Sequence, residues 1–187
     1  MSKDEKLRLL KTEAESCKRC RLRESRSNVV FGVGPADARV MLVGEGPGAT
    51  EDRTQIPFAG AAGKFLNGLL EKAGLKREEV YITNVVLSRP PDNRAPLPDE
   101  IETCRPFLQG QISIIKPKLV VALGRTAAAE LMGRNVVMAE DHGKLLDREY
   151  AGVKFKLYVT YHPAAALYGA SAKQKLLEDF TKLRQLL

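Results

Sequence analysis

The sequence lacks tryptophan, contains only three cysteines and has no long apolar run. No segment reaches the roughly 20 apolar residues that a membrane-spanning helix needs, and the charged N-terminus does not look like a secretory signal. We therefore expect a cytoplasmic protein with no membrane partner. Three cysteines without a secretory signal disfavour a disulfide scaffold and leave metal ligation or free thiols. Without tryptophan, stacking on a nucleobase must use phenylalanine or tyrosine.

Positive charge, by contrast, is in excess. Thirty lysines and arginines against 23 acidic residues give a net charge of +7. Such an excess favours an anionic partner, of which nucleic acid is the commonest. The basic residues concentrate at positions 18–23 and again at Arg89 and Arg94. A basic surface without any specific partner would have the same composition, so charge alone does not decide between the two.

Short apolar runs alternate with amphipathic segments along the chain. Strands are predicted where runs rich in β-branched residues stop at a turn-forming or polar residue, at positions 39–44, 80–86, 119–123 and 155–161. Helices are predicted where apolar residues recur every three or four positions, at positions 3–16, 60–74, 124–132 and 171–187 and from Pro98 onward. This alternation predicts an α/β fold, a three-layer α/β/α sandwich with a central four-stranded parallel sheet. Positions 136–153 are less regular and predict a hairpin or a loop excursion, and because no linker or repeat interrupts the chain we expect a single domain over residues 1–187.

Three of the predicted strands end in side chains that can take part in chemistry. Glu45 follows the first strand, Asn84 lies near the end of the second and His162 follows the fourth. In a parallel sheet these ends lie at the same edge, where ligands bind in open α/β sheets. Phe58 adds a flat ring in the loop after the first strand. Each residue alone has a structural explanation, but all four at one edge predict a pocket for a planar molecule that undergoes chemistry.

The glycine-rich turn at positions 44–48 has a second interpretation. The order Gly-Glu-Gly-Pro-Gly directly after a strand could cradle a phosphate group. However, the turn lacks the dinucleotide spacing and the Walker lysine, and Glu45 would repel a phosphate. We therefore favour the planar ligand.

Together these motifs resemble the uracil-DNA glycosylase superfamily, and specifically its iron–sulfur family 4. The resemblance spans nearly the whole chain and rests on several motifs in order: Gly44-Glu-Gly-Pro-Gly48, Glu51-Asp52, Pro57-Phe58-Ala-Gly60, Thr83-Asn84-Val85, Arg89-Pro-Pro, Asn93-Arg94 and His162-Pro163. It implies an enzyme that hydrolyses the N-glycosidic bond of a flipped-out deoxyuridine in DNA and so starts base excision repair. The implied partner is uracil-containing DNA, single- or double-stranded, bound by a monomer.

The resemblance also implies roles for the residues at the strand ends. Phe58 would stack on the uracil ring, Asn84 would hydrogen-bond its polar edge, and backbone N–H groups around Gly46 would contact it. His162 would stabilise the negative charge of the departing base through its O2 atom. Glu45 would favour the cationic sugar or position the attacking water.

Further residues are implied around this pocket. Glu51 would lie on the side that excludes the methyl group of thymine, and Arg89 and Arg94 would bind the DNA backbone. The loop at positions 162–167 resembles a segment that enters the minor groove, where Leu167 would fill the space that the flipped base leaves. This match is looser, because the family usually has a bulkier residue at position 166 and often an arginine near position 168, which is Tyr168 here.

The cysteine spacing matches three of the four ligands of the [4Fe–4S] cluster in family 4. Cys17, Cys20 and Cys104 occupy three ligand positions, and Ser88 stands where the family has the fourth cysteine. Cluster iron prefers thiolates, so the cluster is expected to be incomplete or labile at that corner. Three arrangements stay open: Ser88 ligates one iron as an alkoxide, that iron is held by water or lost, or no cluster forms and the cysteines are free. We favour a cluster with a structural role, with zinc as the second choice of metal.

Two other functions stay open for such a chain. A catalytically altered member would bind uracil-containing DNA without cleaving it, and a covalent uracil-trapping relative would carry a histidine in an added loop. Positions 88–98 contain no histidine, and Glu45, Asn84 and His162 are all present. The hydrolase is therefore the favoured function.

Overall fold

The computed structural model describes residues 1–187 and has a five-stranded sheet at its centre. The strands are β1 (Val40–Gly44), β2 (Tyr81–Asn84), β3 (Leu119–Leu123), β4 (Leu145–Tyr150) and β5 (Val153–Thr160). Their order across the sheet is β2-β1-β3-β5-β4. Neighbouring strands among the first four in this order are parallel, and β4 pairs antiparallel with β5. The predicted parallel sheet is therefore confirmed for β1, β2, β3 and β5.

Helices cover both faces of the sheet, as the α/β/α prediction requires. The helices are α1 (Lys3–Glu15), α2 (Leu22–Ser25), α3 (Ala49–Thr54), α4 (Ala61–Lys72), α5 (Pro98–Ile115), α6 (Arg125–Met132), α7 (Met138–Asp141) and α8 (Ala170–Arg184). Side chains of α1, α5 and α6 pack with Met41 and Val43 on one face of β1. Side chains of α4 and α8 pack with Val40 and Leu42 on the other face. None of the helices has the length and apolar character needed to cross a membrane.

The predicted number of strands, four, is wrong because β4 is a fifth. This strand forms a hairpin with β5 through a turn at Ala151 and Gly152, where φ is 52° and 73°. Such left-handed turns reverse the chain with the twist that a hairpin needs. None of the residues of β4 is fully buried, and Arg148 interrupts the half-buried side that Leu146 and Tyr150 form. The strand therefore lacks the apolar alternation that would predict it, although the hairpin was one of the two expectations for positions 136–153.

The register of the parallel strands brings their carboxyl ends to one edge. Gly44 is opposite Asn84 in the β1–β2 pair, and Leu123 is opposite Thr160 in the β3–β5 pair. The chain leaves this edge through the loop to α3, through Gly124 into α6, and through His162 into a 3₁₀ turn at Pro163–Leu167. These three exits surround one region of the surface.

Candidate active site

A cleft of about 480 Å³ lies at the carboxyl edge of the sheet. It is lined by all six residues that the sequence assigned to catalysis and base binding, namely Glu45, Gly46, Glu51, Phe58, Asn84 and His162. Three different strand ends and the segment between β1 and α4, which includes α3, supply these residues. Residues far apart in sequence therefore meet around one space large enough for a nucleobase and its sugar.

Asn84 is the buried polar residue of the cleft. Its side chain is only 2% exposed, and its Oδ1 atom has no hydrogen-bond partner within the protein. Gly44 lies against it, since a Cβ atom at that position would come within 2.5 Å of Asn84 Oδ1 and 2.7 Å of the Phe58 ring. A buried acceptor without a donor costs free energy. Asn84 Oδ1 is therefore available to accept a hydrogen bond from a group that enters the cleft.

Phe58 presents its ring beside His162. The two ring centroids are 5.4 Å apart and the ring planes differ by 26°, which is a stacked arrangement. Phe58 is buried and has a φ of 52°, the left-handed region that a residue with a side chain seldom adopts. Strained backbone of this kind persists where the surrounding structure enforces it, and it concentrates at functional sites. The surrounding structure therefore holds the backbone of Phe58 in an unfavourable conformation that places a flat ring in the cleft.

His162 is held as a neutral imidazole in one orientation. Its Nδ1 atom accepts a hydrogen bond of 3.1 Å from the backbone N–H of Ala164, so the proton of the neutral ring is on Nε2. Burial lowers the pKa of His162 to about 4, against a smaller opposing effect of the Glu51 carboxylate. Gly124, with a φ of 93°, passes so close that a Cβ atom would lie 3.0 Å from His162 Cβ. The side chain is therefore an Nε2–H donor at neutral pH.

The two carboxylates of the cleft have different surroundings. The Oε2 atom of Glu45 accepts a hydrogen bond from the Thr126 hydroxyl, and Oε1 has no partner within the protein. Glu51 accepts backbone N–H groups at both oxygens, from Gly48 at 3.1 Å and from Gly60 at 3.0 Å. Glu45 therefore has an oxygen available to a ligand or water. Glu51 instead connects Gly48 and Gly60, the two ends of the segment that contains Phe58 (the Phe58 loop).

The residues assigned to DNA contact lie around the cleft in different ways. Arg94 lines it, but its guanidinium makes hydrogen bonds of 2.9 and 2.7 Å to the fully buried carboxylate of Glu100. This pair raises the pKa of Arg94 and lowers that of Glu100. Arg89 and Leu167 are outside the lining: Arg89 donates a 2.8 Å hydrogen bond to Asn93, and Leu167 is exposed on the turn after His162.

Arg125, Thr126 and Tyr168 line the cleft, and the sequence reasoning gave none of them a role there. Arg125 and Thr126 begin α6 directly after β3, and Tyr168 follows the 3₁₀ turn. The available signal for the first two was the position of β3, because its carboxyl end must lie at the same edge as the other parallel strands. Tyr168 carried no comparable signal, since its place on the cleft depends on the path of an irregular segment.

The predicted metal ligands surround a second, smaller cavity of about 20 Å³. Cys17, Cys20, Ser88 and Cys104 all line it, although the chain has no group of three or more His, Cys, Asp or Glu side chains arranged to hold a metal ion. The Ser88 hydroxyl accepts a 3.0 Å hydrogen bond from the Arg26 guanidinium. Three thiols suit the iron of a cluster, whereas the hydroxyl at the fourth position does not. The three cysteines are therefore of the ligand type that a cluster takes, but their side chains are not arranged around a metal ion in this structure.

The comparisons with known proteins point to the uracil-DNA glycosylases. The model of the uracil DNA glycosylase superfamily matches residues 31–185. A type-4 uracil-DNA glycosylase of Sulfurisphaera tokodaii is 45% identical over 185 residues, which cover 96% of this chain and 84% of that protein. One from Thermotoga maritima is 40% identical over 189 residues, covering 100% of this chain and 97% of that protein. A type-5 uracil-DNA glycosylase of Pyrobaculum aerophilum is 34% identical over 149 residues, covering 70% of this chain and 63% of that protein.

Proposed function

Because the chain belongs to the type-4 uracil-DNA glycosylases of the uracil DNA glycosylase superfamily, we propose that its cleft holds one deoxyuridine extruded from DNA during hydrolysis of the N-glycosidic bond. Uracil-DNA glycosylase activity in DNA repair is its function. A base inside a duplex is out of reach, so enzymes that act on bases extrude the target nucleotide into a pocket. The observation that supports the proposal best is the meeting of Phe58, Asn84 and His162 in one cleft, with Asn84 Oδ1 unpaired.

Asn84 and Phe58 account for binding of the base. Uracil presents an N–H donor next to a carbonyl acceptor, and an amide side chain carries the complementary acceptor and donor side by side. A hydrogen bond from uracil N3–H would satisfy the buried Oδ1 atom of Asn84. The ring of Phe58 offers a flat apolar face for stacking on the base, an interaction worth about 1–3 kcal/mol. Gly46 lines the same space, and backbone N–H groups around it would contact the base.

His162 accounts for stabilisation of the leaving group. Cleavage of the glycosidic bond leaves negative charge on uracil, and a fixed donor aimed at that charge lowers the barrier. The neutral imidazole has its Nε2–H available because Nδ1 is occupied by the Ala164 N–H. In this role His162 donates a hydrogen bond to uracil O2 and keeps its own proton.

Glu45 accounts for the positive charge on the sugar and for the water. The bond breaks with cationic character on the sugar, which a nearby carboxylate stabilises, as in the hydrolysis of glycosides. Thr126 occupies one oxygen of Glu45 and fixes the carboxylate, which leaves Oε1 to face the sugar or to orient the attacking water. Glu51 positions the Phe58 loop through Gly48 and Gly60, and in this way shapes the side of the pocket that would meet a thymine methyl group.

DNA is bound outside the base pocket. In the proposed complex Arg89 lies near the phosphates and Leu167 enters the space that the extruded base leaves. Leu167 is exposed on the turn after His162. This exposure supports the role, because a side chain that enters the DNA must project from the protein surface. A monomeric state and a cytoplasmic location stay predictions from the sequence.

The second cavity is the proposed site of an iron–sulfur cluster with a structural role. Cys17, Cys20 and Cys104 would hold it, with Ser88 at the fourth corner. The group would supply cross-links between the segment after α1, the loop after β2 and helix α5. No residue of the catalytic cleft lies among the lining of this cavity, so the hydrolysis is assigned to the chain's own side chains.

An excision assay with single-stranded and duplex DNA carrying one uracil tests the proposed roles. Alkali breaks the strand wherever the wild type has released uracil. The Asn84→Ala variant is expected to lose at least about 10²-fold in kcat/KM, because it removes the acceptor and donor that read the base. Asn135→Ala is the matched control, since Asn135 is exposed and lies outside the cleft lining.

Two outcomes would contradict the proposal. If Asn84→Ala excised uracil as fast as Asn135→Ala, with both variants folded, Asn84 would not read the base. If the wild type formed an alkali-stable covalent adduct with the DNA, the uracil-trapping alternative would replace hydrolysis.

A further inference from the structure

Two exposed side chains on the rim of the cleft have no partner in the protein. Tyr168 lines the cleft and is 90% exposed. Arg125 also lines it, is exposed, and makes neither a side-chain hydrogen bond nor an ion pair within residues 1–187. In contrast, the guanidinium of Arg94 on the same cleft is already paired with Glu100. The cleft therefore carries one free ring and one free cation outside its base pocket.

A ring and a guanidinium on one rim match the two parts of a nucleotide. Aromatic side chains stack on bases of any sequence, and arginines pair with phosphates. The base pocket is occupied by the extruded uracil in the proposed complex, so the rim meets the next nucleotide. We propose that Tyr168 stacks on the base adjacent to the extruded uracil and that Arg125 pairs with a phosphate flanking it. This inference rests on the proposed function.

The backbone attaches both rim residues to the base pocket. The turn that begins at His162 ends at Tyr168, whose N–H donates a 3.4 Å hydrogen bond to the Ala165 carbonyl. Arg125 immediately precedes Thr126, which donates to Glu45. A nucleotide held on the rim would therefore align the neighbouring sugar with the residues that act on it.

Loss of Tyr168 and loss of Leu167 should affect the binding of single-stranded and duplex DNA differently. Leu167 can fill a gap only where a base stack exists on both sides of it, so its loss should weaken duplex binding more than single-strand binding. Stacking of Tyr168 on an adjacent base needs no complementary strand. Loss of Tyr168 should therefore weaken binding to both forms of DNA.

Because the chain has no tryptophan, Tyr168→Trp provides a single fluorescent reporter of stacking. Titration with single-stranded DNA containing one uracil should quench this tryptophan and raise affinity or leave it equal. Leu186→Trp is the matched control, since Leu186 is exposed and lies beside Arg39 at the opposite edge of the sheet. Its fluorescence should not respond. If the Tyr168→Trp variant stays unquenched at saturating DNA, the stacking is overturned.

Affinity measurements test the same rim without a reporter. Tyr168→Ala should weaken binding of both DNA forms by about tenfold or more. Arg125→Gln should lower the slope of log Kd against log salt by about one, whereas Arg39→Gln, the same charge change at the opposite edge, should not.

Uracil release by the wild type distinguishes a failure of the rim contacts of Tyr168 and Arg125 from a failure of the proposed function. If the wild type releases uracil while Tyr168→Ala and Arg125→Gln bind DNA like Arg39→Gln, the rim is overturned and the function stands. If the wild type releases no uracil, the proposed function is overturned, and the binding and quenching data still decide whether the rim holds DNA.

Discussion

His162 lies under two opposing influences on its pKa. Burial disfavours the charged ring and brings the pKa to about 4, and the Glu51 carboxylate raises it by a smaller amount. Protonation would also break the hydrogen bond that Nδ1 accepts from Ala164. We therefore expect kcat to show no titration near pH 6.5, the ordinary value for histidine. A decline assigned to His162 should appear only as the pH approaches 4.

Stability should depend on the same group in a definite direction. Between about pH 6.5 and pH 4 the unfolded chain binds a proton on this histidine and the folded chain does not, so stability falls as the pH falls through that window. The sequence has two histidines, and NMR of the wild type and of His142→Gln assigns their two ring signals. A His162 signal that titrates at pH 6.5 or above would contradict the neutral-donor role.

Thr126 is expected to act through Glu45. A hydrogen bond to a charged group is worth about 1.5–3 kcal/mol, so Thr126→Val should lower kcat by roughly 10- to 100-fold with little change in KM. Thr126→Ser keeps the hydroxyl and should restore the rate, which a role in packing alone would not predict. Single-turnover kinetics of the three proteins checks this. Equal rates for the serine and valine variants would remove Thr126 from the mechanism.

The proline-rich segment between β2 and α5 is held by one buried carboxylate. Glu100 accepts two hydrogen bonds from Arg94 and a third from the Leu97 N–H at the start of α5. Glu100→Gln should lower the free energy of unfolding at pH 7 by about 1–3 kcal/mol. Because the pKa of Glu100 lies below its ordinary value of 4.5, the wild-type advantage is complete above that pH and shrinks as the pH falls further.

Urea unfolding at pH 7 and pH 3 measures this difference. Glu102→Gln is the control on the same helix, because Glu102 is exposed and has no partner. A loss of stability that is the same at both pH values would show that shape, not charge, holds the segment.

Prediction from sequence succeeded where an element has its own pattern. Glu45, Asn84 and His162 could be placed together because each lies at the end of an apolar run, and parallel strands share an edge. β4 was missed because Arg148 interrupts its inner side. The pairing of Arg94 with Glu100 was missed because no local sequence pattern shows which basic side chain a buried carboxylate pairs with. Tyr168 was noticed only as a departure from a family pattern, and its place on the cleft needed the fold.

At the scale of the molecule, the two cavities lie on different parts of one framework. The catalytic cleft is formed by strand ends, whereas the cysteine cavity joins the segment after α1 to Ser88 and Cys104. Ser88 is 6% exposed and hydrogen-bonded to Arg26, whose other nitrogen donates to the Cys17 carbonyl at 2.6 Å. Arg26 therefore already links the segment after α1 to the loop after β2, two of the segments that a cluster would join. This link can hold the two segments in place although only three thiols are present.

Replacement of this serine by cysteine tests how far the chain depends on that link. Ser88→Cys supplies a fourth thiolate, the ligand that cluster iron prefers, so iron and sulfide per chain and the melting temperature should all rise above the wild-type values. Thr103→Cys adds a thiol to the same cavity outside the predicted ligand set and should raise none of them. Uracil release should be the same for all three proteins, because the cavity contributes no residue to the cleft. Iron absent from both the wild type and Ser88→Cys, after anaerobic purification, would show that the cysteines are free thiols or zinc ligands.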